Sequence, residues 1–174
     1  MNELEWISSA DPQAMLAHIR GKVSDRKLRL FATGCCRQVW DQLTDPRSRR
    51  AVEVAERYAE GEATTAELRT VRDKAHILGM IDGAEPSDRF AHAAWSCCAV
   101  WDASGQVANL LQQAVFNRRP FTGEDKAVAA GQTALLREIV GNPWRPVRTV
   151  CGVGDHVHVC EEAIGNTRVA DCET

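Results

Sequence analysis

The stretch SDRKLRLFATGCCRQVWDQL, residues 24–43, decides the fold, because it carries both a helix start and an unbroken apolar stripe. Ser24 is a suitable N-cap, since its hydroxyl can accept from a backbone N–H of the first turn, and Asp25 lies near the positive end of the helix dipole. At about 100° per residue, the apolar side chains cover an arc of roughly 180°. They are Leu28, Phe31, Ala32, Cys35, Cys36, Val39, Trp40 and Leu43. The pattern predicts a core helix.

Arg29 is the exception on this helix. It projects at about 100° from Leu28, which places it on an apolar flank between Cys36 and Trp40. An unpaired guanidinium buried there would cost far more free energy than a surface ion pair gains. We therefore predict an acidic partner for Arg29 and assign this arginine a structural role.

The rest of the chain up to residue 147 also reads as helices with clear boundaries. Asp11-Pro12 and Asp45-Pro46 each place an N-cap before a proline in the first helical turn, and Thr64 with Glu67 forms a capping box. Helix ends are indicated at Gly21, Gly61 and Gly141. Residues 2–9 predict a short helical turn, residues 87–117 one long helix with Gly105 as a candidate interruption, and residues 123–140 a last helix.

These elements predict an all-α fold, a single antiparallel helical bundle over residues 1–147. The long helix places Trp101 on one stripe with Phe90, so Trp101 and Trp40 are predicted to be structural aromatic residues of the bundle. Residues 148–174 form a C-terminal tail that is predicted to be extended or weakly ordered.

Composition and charge place the chain among ordinary globular proteins. It has 174 residues, of which 44% are hydrophobic and 26% charged, with a formal net charge of -3. No apolar run approaches the ~20 residues that span a bilayer, and the N-terminus MNELEWISSADPQ is acidic where a signal peptide would be basic. We expect a cytoplasmic protein without a membrane segment, whose seven cysteines are thiols or ligands rather than a disulfide framework.

Three segments resemble a set of uncharacterised paralogous proteins and modules from planctomycete bacteria. They are SDRKLRLFATGCCR at residues 24–37, RRAVEVAERYAEG at 49–61 and LLREIVGNPWRPV at 135–147, and their order along the chain matches as well. The resemblance covers roughly residues 1–147 and implies a helical domain with no established activity, cofactor or catalytic residue. After Val147 those relatives continue into another apolar helical segment, whereas this chain does not.

Two pairs of adjacent cysteines, Cys35-Cys36 and Cys97-Cys98, are the first candidate for chemistry. If their helices pack together, four thiols could bind zinc or take part in thiol redox reactions. Adjacent residues of a helix diverge by about 100°, however, whereas zinc ligands are usually two to four residues apart. Buried cysteine also behaves as a small hydrophobic residue, and core packing is therefore favoured over a metal or redox role.

The tail carries the second candidate, Cys151 followed by His156, His158 and Cys160. In an extended strand alternate residues share a face, so His156, His158 and Cys160 could supply nitrogen and sulfur ligands together. Their spacing matches no strong zinc signature. The competing interpretation is a terminal segment whose histidines lie in water.

A basic region in residues 18–50 is the third candidate. Its side chains, which could follow the phosphates of a nucleic acid, are Arg20, Lys22, Arg26, Lys27, Arg29, Arg47, Arg49 and Arg50. No nucleic-acid motif accompanies them, and Glu53, Glu56 and Glu60 follow at helical spacing. A solvated face with ion pairs is therefore favoured over nucleic-acid binding.

An enzyme is not indicated, since the chain has no P-loop, Gly-x-Gly-x-x-Gly, Gly-x-Ser-x-Gly or His-Glu-x-x-His. The favoured hypothesis is a non-enzymatic module that contacts a protein partner. Trp144 and Arg145 are the candidate contact residues, because two flanking prolines stiffen their segment and both residue types are enriched at binding hot spots. The alternative is that Trp144 folds back over the end of the bundle.

Overall fold

The computed structural model describes residues 1–79, 86–99, 104–118, 123–144, 148–153 and 156–161, with side chains in 1–75, 89–99, 104–113 and 123–144. The described part of the chain contains eight α-helices, a short 3₁₀ helix and two strands. The helices are α1 (Glu3–Ser8), α2 (Pro12–Ile19), α3 (Asp25–Gln38), α4 (Pro46–Ala59), α5 (Thr65–Gly79), α6 (Pro86–Ser96), α7 (Ser104–Arg118) and α8 (Glu124–Val140). The 3₁₀ helix is Trp40–Gln42, and the strands are β1 (Arg148–Val153) and β2 (His156–Glu161). The all-α prediction for the bundle is confirmed.

The helix starts follow the capping signals of the sequence. The Asp11 carboxylate accepts from the backbone N–H groups at the start of α2, and Asp45 accepts from Arg47 N–H at the start of α4. Thr64 N–H donates to Glu67 at 2.8 Å and Glu67 N–H donates back at 3.2 Å, which completes the capping box before α5. Positive φ angles mark the glycines that follow α2, α4 and α8, namely Gly21, Gly61 and Gly141.

The predicted single helix over residues 87–117 is wrong, because α6 ends at Ser96 and α7 begins at Ser104. The carbonyls of Cys97 and Ala99 instead accept hydrogen bonds from the Arg29 side chain on α3. Arg29 on α3 thus satisfies backbone carbonyl groups at the point where α6 ends. Gly105, the candidate interruption, lies inside α7, and its carbonyl accepts from the side-chain amide of Gln13 on α2 at 3.0 Å.

α3 is the central element of the bundle. It packs on α4, α6, α7 and α8, and the consecutive pairs from α4 to α8 also contact one another. The apolar stripe predicted from residues 24–43 is buried as expected, except that Trp40 is only partly buried and lies in the 3₁₀ helix that follows α3. Gly34 faces α8 closely enough that a Cβ atom built there would lie 2.6 Å from Leu135 Cδ2. A side chain on Gly34 would therefore push α3 and α8 apart or force Leu135 to turn aside.

The C-terminal tail is extended over its described residues. β1 and β2 form an antiparallel two-stranded hairpin in which Cys151 is paired with His158, Val153 with His156, and Thr149 with Cys160. The sequence predicted only an extended segment, although Gly154-Asp155, a two-residue turn signal, stands between the two alternating runs and favours a hairpin.

Trp6 on α1 anchors the N-terminus in the core. Its side chain is 1% exposed, whereas Leu4 on the same helix is 78% exposed. Trp6→Ala should therefore lower the free energy of unfolding by about 3–5 kcal/mol through loss of burial and a residual cavity. Leu4→Ala is the matched control and should change it by less than about 0.5 kcal/mol. Urea denaturation followed by circular dichroism measures both, and equal effects would contradict the burial of Trp6.

Candidate functional site

One end of the bundle carries large apolar side chains that face solvent. Leu4 is 78% exposed, Ile7 54%, Trp144 38% and Met1 36%. We call Leu4, Ile7 and Trp144 the apolar end. Single exposed apolar residues are common in soluble proteins, but several at one place can mark a contact surface.

Trp144 is held against the bundle while part of its ring stays exposed. Its ring stacks on His18 with 5.0 Å between the ring centroids and 12° between the planes. His18 in turn lies 6.4 Å from the buried ring of Trp6. The two sequence hypotheses for Trp144 are therefore compatible, since this residue covers the end of the bundle on one side and remains available on the other.

Polar contacts join the segment after α8 to α1. The Asn142 side-chain amide donates to Glu3 Oε1 at 2.7 Å, and Asn142 Oδ1 accepts from Trp144 N–H at 2.9 Å. Arg137 on α8 donates to the carbonyls of Trp6 and Ser9, on either side of Ile7. Ile7 lies one helical turn from Glu3 and so shares its face of α1. These contacts fix Ile7 and Trp144 at the same end of the bundle.

The electrostatic surroundings of His18 keep this stack uncharged near neutral pH. Partial burial is the main cause that lowers the pKa of His18, followed by the positive charges of Lys22 and the N-terminus, while Glu5 acts in the opposite direction. Because the pKa of His18 is lower in the folded protein than in the unfolded chain, the titration of His18 leaves the free energy of unfolding unchanged above the unfolded pKa of about 6.5. As the pH falls below that value, the unfolded chain binds a proton more readily, and the free energy of unfolding declines.

In the described part of the chain, the contacts of Arg29 differ from the acidic partner that the sequence predicted. Among the residues whose side chains are described, no carboxylate forms an ion pair with it. Its Nη1 donates instead to the carbonyls of Cys97 and Ala99, both at 2.8 Å, and its guanidinium lies 5.0 Å from the Tyr58 ring centroid. Carbonyl groups at a helix C-terminus carry partial negative charge, so they serve a cation in place of a carboxylate.

The four paired cysteines are all buried, yet they do not form the predicted four-sulfur site. Cys36 Sγ and Cys97 Sγ are 3.5 Å apart, but Cys98 Sγ donates to Ala51 O on α4. Among the described residues, no three His, Cys, Asp or Glu side chains are grouped so that they could hold a metal ion. The sulfur positions therefore fit the core-packing interpretation of Cys35, Cys36, Cys97 and Cys98, with one close pair of thiols.

The thiols of Cys35, Cys97 and Cys98 stay protonated near neutral pH. The hydrogen bond with Cys36, together with burial, holds the pKa of Cys97 well above its usual value. Burial also raises the pKa of Cys35 strongly and that of Cys98 to about 12. Thiols of this kind are weak nucleophiles in the closed fold.

The basic region is largely occupied by contacts within the bundle. Arg26 pairs with Glu60 at 2.6 Å, Arg47 with Asp45 at 2.9 Å and Arg50 with Glu53 at 3.4 Å. Of the other predicted phosphate contacts, Arg29 and Arg49 donate to backbone carbonyls. Nucleic-acid binding therefore gains no support from these arginines.

Two arginines lie over the ring of Trp40. The guanidinium of Arg37 lies 3.9 Å from its ring centroid and that of Arg49 lies 5.4 Å away. Arg37 also forms a two-bond contact with Glu56 on α4. The predicted structural role of Trp40 thus takes the form of cation–π contacts at the α3–α4 edge. The other structural aromatic residue, Trp101, lies outside the described residues, as does Arg145.

In the tail, the backbone register places the predicted ligand residues on one face of the hairpin. His156, His158 and Cys160 alternate along β2, and Cys151 is the direct partner of His158 on β1. Directly paired residues of antiparallel strands lie on the same face. The sequence predicted that the three β2 residues share a face, and the pairing adds Cys151 to them.

Comparisons of this chain with protein-family models, with curated proteins and with solved structures found no match. The resemblance to planctomycete paralogues stays a prediction from the sequence segments. Among the described residues, no helix combines the length and apolar character that crossing a membrane requires.

Replacing Arg29 tests its partners. Arg29→Leu should lower the free energy of unfolding by about 2–4 kcal/mol, because two carbonyls lose a charged donor. The loss should be the same at about pH 4 and about pH 8, since carbonyls do not titrate, whereas a carboxylate partner would make it shrink as the pH falls through about 4.

Urea denaturation at several pH values measures this loss. Arg50→Leu is the control, because it removes a surface ion pair and should change stability by less than about 0.5 kcal/mol. A loss for Arg29→Leu that disappears in acid would restore the acidic partner.

Proposed function

We propose that this chain is a non-enzymatic, cytoplasmic protein-interaction module of the bacterial family that it resembles, and that it binds a protein partner through the apolar end. The observation that carries the proposal is the joint exposure of Leu4, Ile7 and Trp144 at one end of a bundle whose other large apolar side chains are mostly buried. Apolar surface that is left in water is surface whose burial can stabilise a complex, by about 25 cal/mol per Å².

The way in which the apolar end is held supports the same proposal. Trp6 fixes α1 from beneath, Arg137 holds both sides of Ile7, and His18 supports the Trp144 ring. A surface that is rigid before binding loses little conformational entropy when the complex forms. Tryptophan that is partly exposed and braced from behind is typical of binding hot spots.

The remaining side chains of the bundle suit a structural role better than catalysis. The bundle cysteines are buried, and His92 lies beside Trp95 with its Nε2 3.4 Å from Gln106. A general base or nucleophile would need access to a substrate and a pKa close to the working pH.

Photo-crosslinking in the cells that make the protein tests the proposed surface. A benzophenone amino acid at Ile7 should give a discrete adduct with one protein, while the same group at Arg69, exposed on α5, should not. Leu4→Ser and Trp144→Ser, each combined with the probe at Ile7, should reduce the adduct because both remove apolar contact area. Equal labelling from Ile7 and Arg69, or none from Ile7, would contradict the proposal.

A second candidate function is metal binding by the tail, and the pairing of Cys151 with His158 favours it. His156 and Cys160 are four residues apart on β2, which separates their Cα atoms by about 13 Å. That span is wide for two ligands of one tetrahedral ion with bonds of about 2.0–2.3 Å. We therefore propose that Cys151 and His158 bind one zinc ion together with either His156 or Cys160.

Cobalt titration of protein purified without a His-tag tests this second proposal. Co²⁺ should bind with a stoichiometry of one ion per chain and give the visible absorption that accompanies tetrahedral thiolate coordination. Zinc should displace the cobalt. His158→Ala should abolish the signal, while Val157→Thr, on the opposite face of the hairpin, should keep it. A wild type without the absorption would rule the site out, and an unchanged His158→Ala variant would rule out this ligand set.

A further inference from the structure

Among the cysteines whose side chains are described, the closest pair of thiols lies between α3 and the end of α6. Cys36 Sγ and Cys97 Sγ are 3.5 Å apart, and both side chains are almost fully buried, at 0% and 2% exposure. A disulfide bond is about 2.05 Å long, so the two sulfurs would have to approach by roughly 1.5 Å. That movement is small for residues at the end of a helix.

The two cysteines occupy different positions relative to their helices. Cys36 lies in the last turn of α3 and is enclosed by the helices that pack on it, whereas Cys97 follows the last residue of α6. Arg29 holds Cys97 by its carbonyl, and the Cys97 thiol donates to Ala93 O at 3.3 Å.

The neighbouring cysteines are not arranged in this way. Cys98 Sγ donates to Ala51 O on α4, at 3.3 Å, and is thus directed to another helix. Cys35 is adjacent to Cys36 on α3, where side chains of successive residues diverge by about 100°. Proximity therefore selects Cys36 and Cys97 from the four buried thiols.

We infer that Cys36 and Cys97 are a site of reversible oxidation, at which a small disulfide converts the two thiols to an intramolecular disulfide that joins α3 to the end of α6. This site is independent of the apolar end and of the tail. It assigns to the bundle a modification that the interaction function does not require.

The reaction balances as two successive thiol–disulfide exchanges. Cys97, at the end of α6, gives up its proton and attacks one sulfur of the small disulfide, whose S–S bond breaks and releases one small thiol. Cys36 then gives up its proton and attacks the Cys97 sulfur of the mixed disulfide, which releases the second small thiol. The protein loses two hydrogen atoms, and the small disulfide is reduced by two electrons and takes up two protons.

Burial controls the rate of this reaction. Neither thiol reaches solvent in the closed fold, so oxidation needs the segment of residues 97–99 to open, which requires the Arg29 hydrogen bonds to break. Once formed, the disulfide is buried at the same place and is protected from reductants until the segment opens again. The bond also restricts the unfolded chain, so the oxidised protein should resist denaturation more than the reduced protein.

Oxidation of the full chain with 2-hydroxyethyl disulfide tests the inference. After the remaining thiols are blocked, trypsin should yield residues 30–37 linked to residues 90–118, because cleavage follows Arg29, Arg37, Arg89 and Arg118. The tail cysteines fall on other peptides, which separates their reactions from this one. The linked pair should be lighter by two hydrogen atoms than the sum of its reduced peptides, and fragmentation should place the bond at Cys36 and Cys97.

Four matched variants complete the test. Cys36→Ala and Cys97→Ala should each abolish the linked peptide, while Cys35→Ala and Cys98→Ala should keep it, because each control removes the immediate neighbour of a reacting thiol. The urea midpoint of the oxidised wild type should rise and return to its original value with dithiothreitol. Recovery of all four thiols in reduced form, or a bond between Cys35 and Cys36, would overturn the inference. Fragmentation of the wild-type peptide identifies the bonded cysteines even if a variant does not fold.

Discussion

The contact between the Arg29 guanidinium and the carbonyls of Cys97 and Ala99 is the constraint on which much of the bundle depends. It joins the central helix α3 to the end of α6 by two hydrogen bonds of 2.8 Å, part-way into the apolar interior. A charged donor satisfies both carbonyls where the chain leaves α6, so the break between α6 and α7 does not leave polar groups unpaired. The same contact fixes Cys97, which brings its sulfur to Cys36. Termination of a helix, placement of a charge and proximity of two thiols therefore have one physical cause.

Polar side chains hold the bundle together at other joints as well. Gln132 on α8 is fully buried, donates to Ala108 O at 3.1 Å and accepts from Gln112 at 2.6 Å, so it ties α8 to α7. Arg37 pairs with Glu56 between α3 and α4 while it lies over Trp40. Each of these groups is satisfied by partners on a second helix, and such contacts specify which helices are neighbours in a way that apolar burial alone does not.

The two ends of the described chain differ in what they offer to other molecules. At the apolar end, a buried tryptophan and an arginine hold exposed side chains in a fixed arrangement, which suits contact with a protein surface. In the tail, backbone pairing assembles cysteine and histidine on one face of a hairpin, which suits a metal ion. Both arrangements join residues from separate segments: α1 with the segment after α8 in one case, and β1 with β2 in the other.

The sequence alone determined the helix starts, most helix ends and the buried stripe of α3, because capping and periodicity are local properties of the chain. It also identified Arg29 as anomalous, Trp144 as a contact candidate and the alternating ligand types of the tail. Only the tertiary structure decided that Arg29 binds backbone carbonyls and that, of the four bundle cysteines, Cys36 and Cys97 form the close pair. It also decided that Leu4 and Ile7 lie at the same end of the bundle as Trp144. These outcomes depend on which helices pack together and at what rotation, and no periodicity within one helix contains that information. The break after α6 is also a tertiary outcome, because the carbonyl of Cys97 accepts from Arg29, which lies 68 positions earlier in the chain.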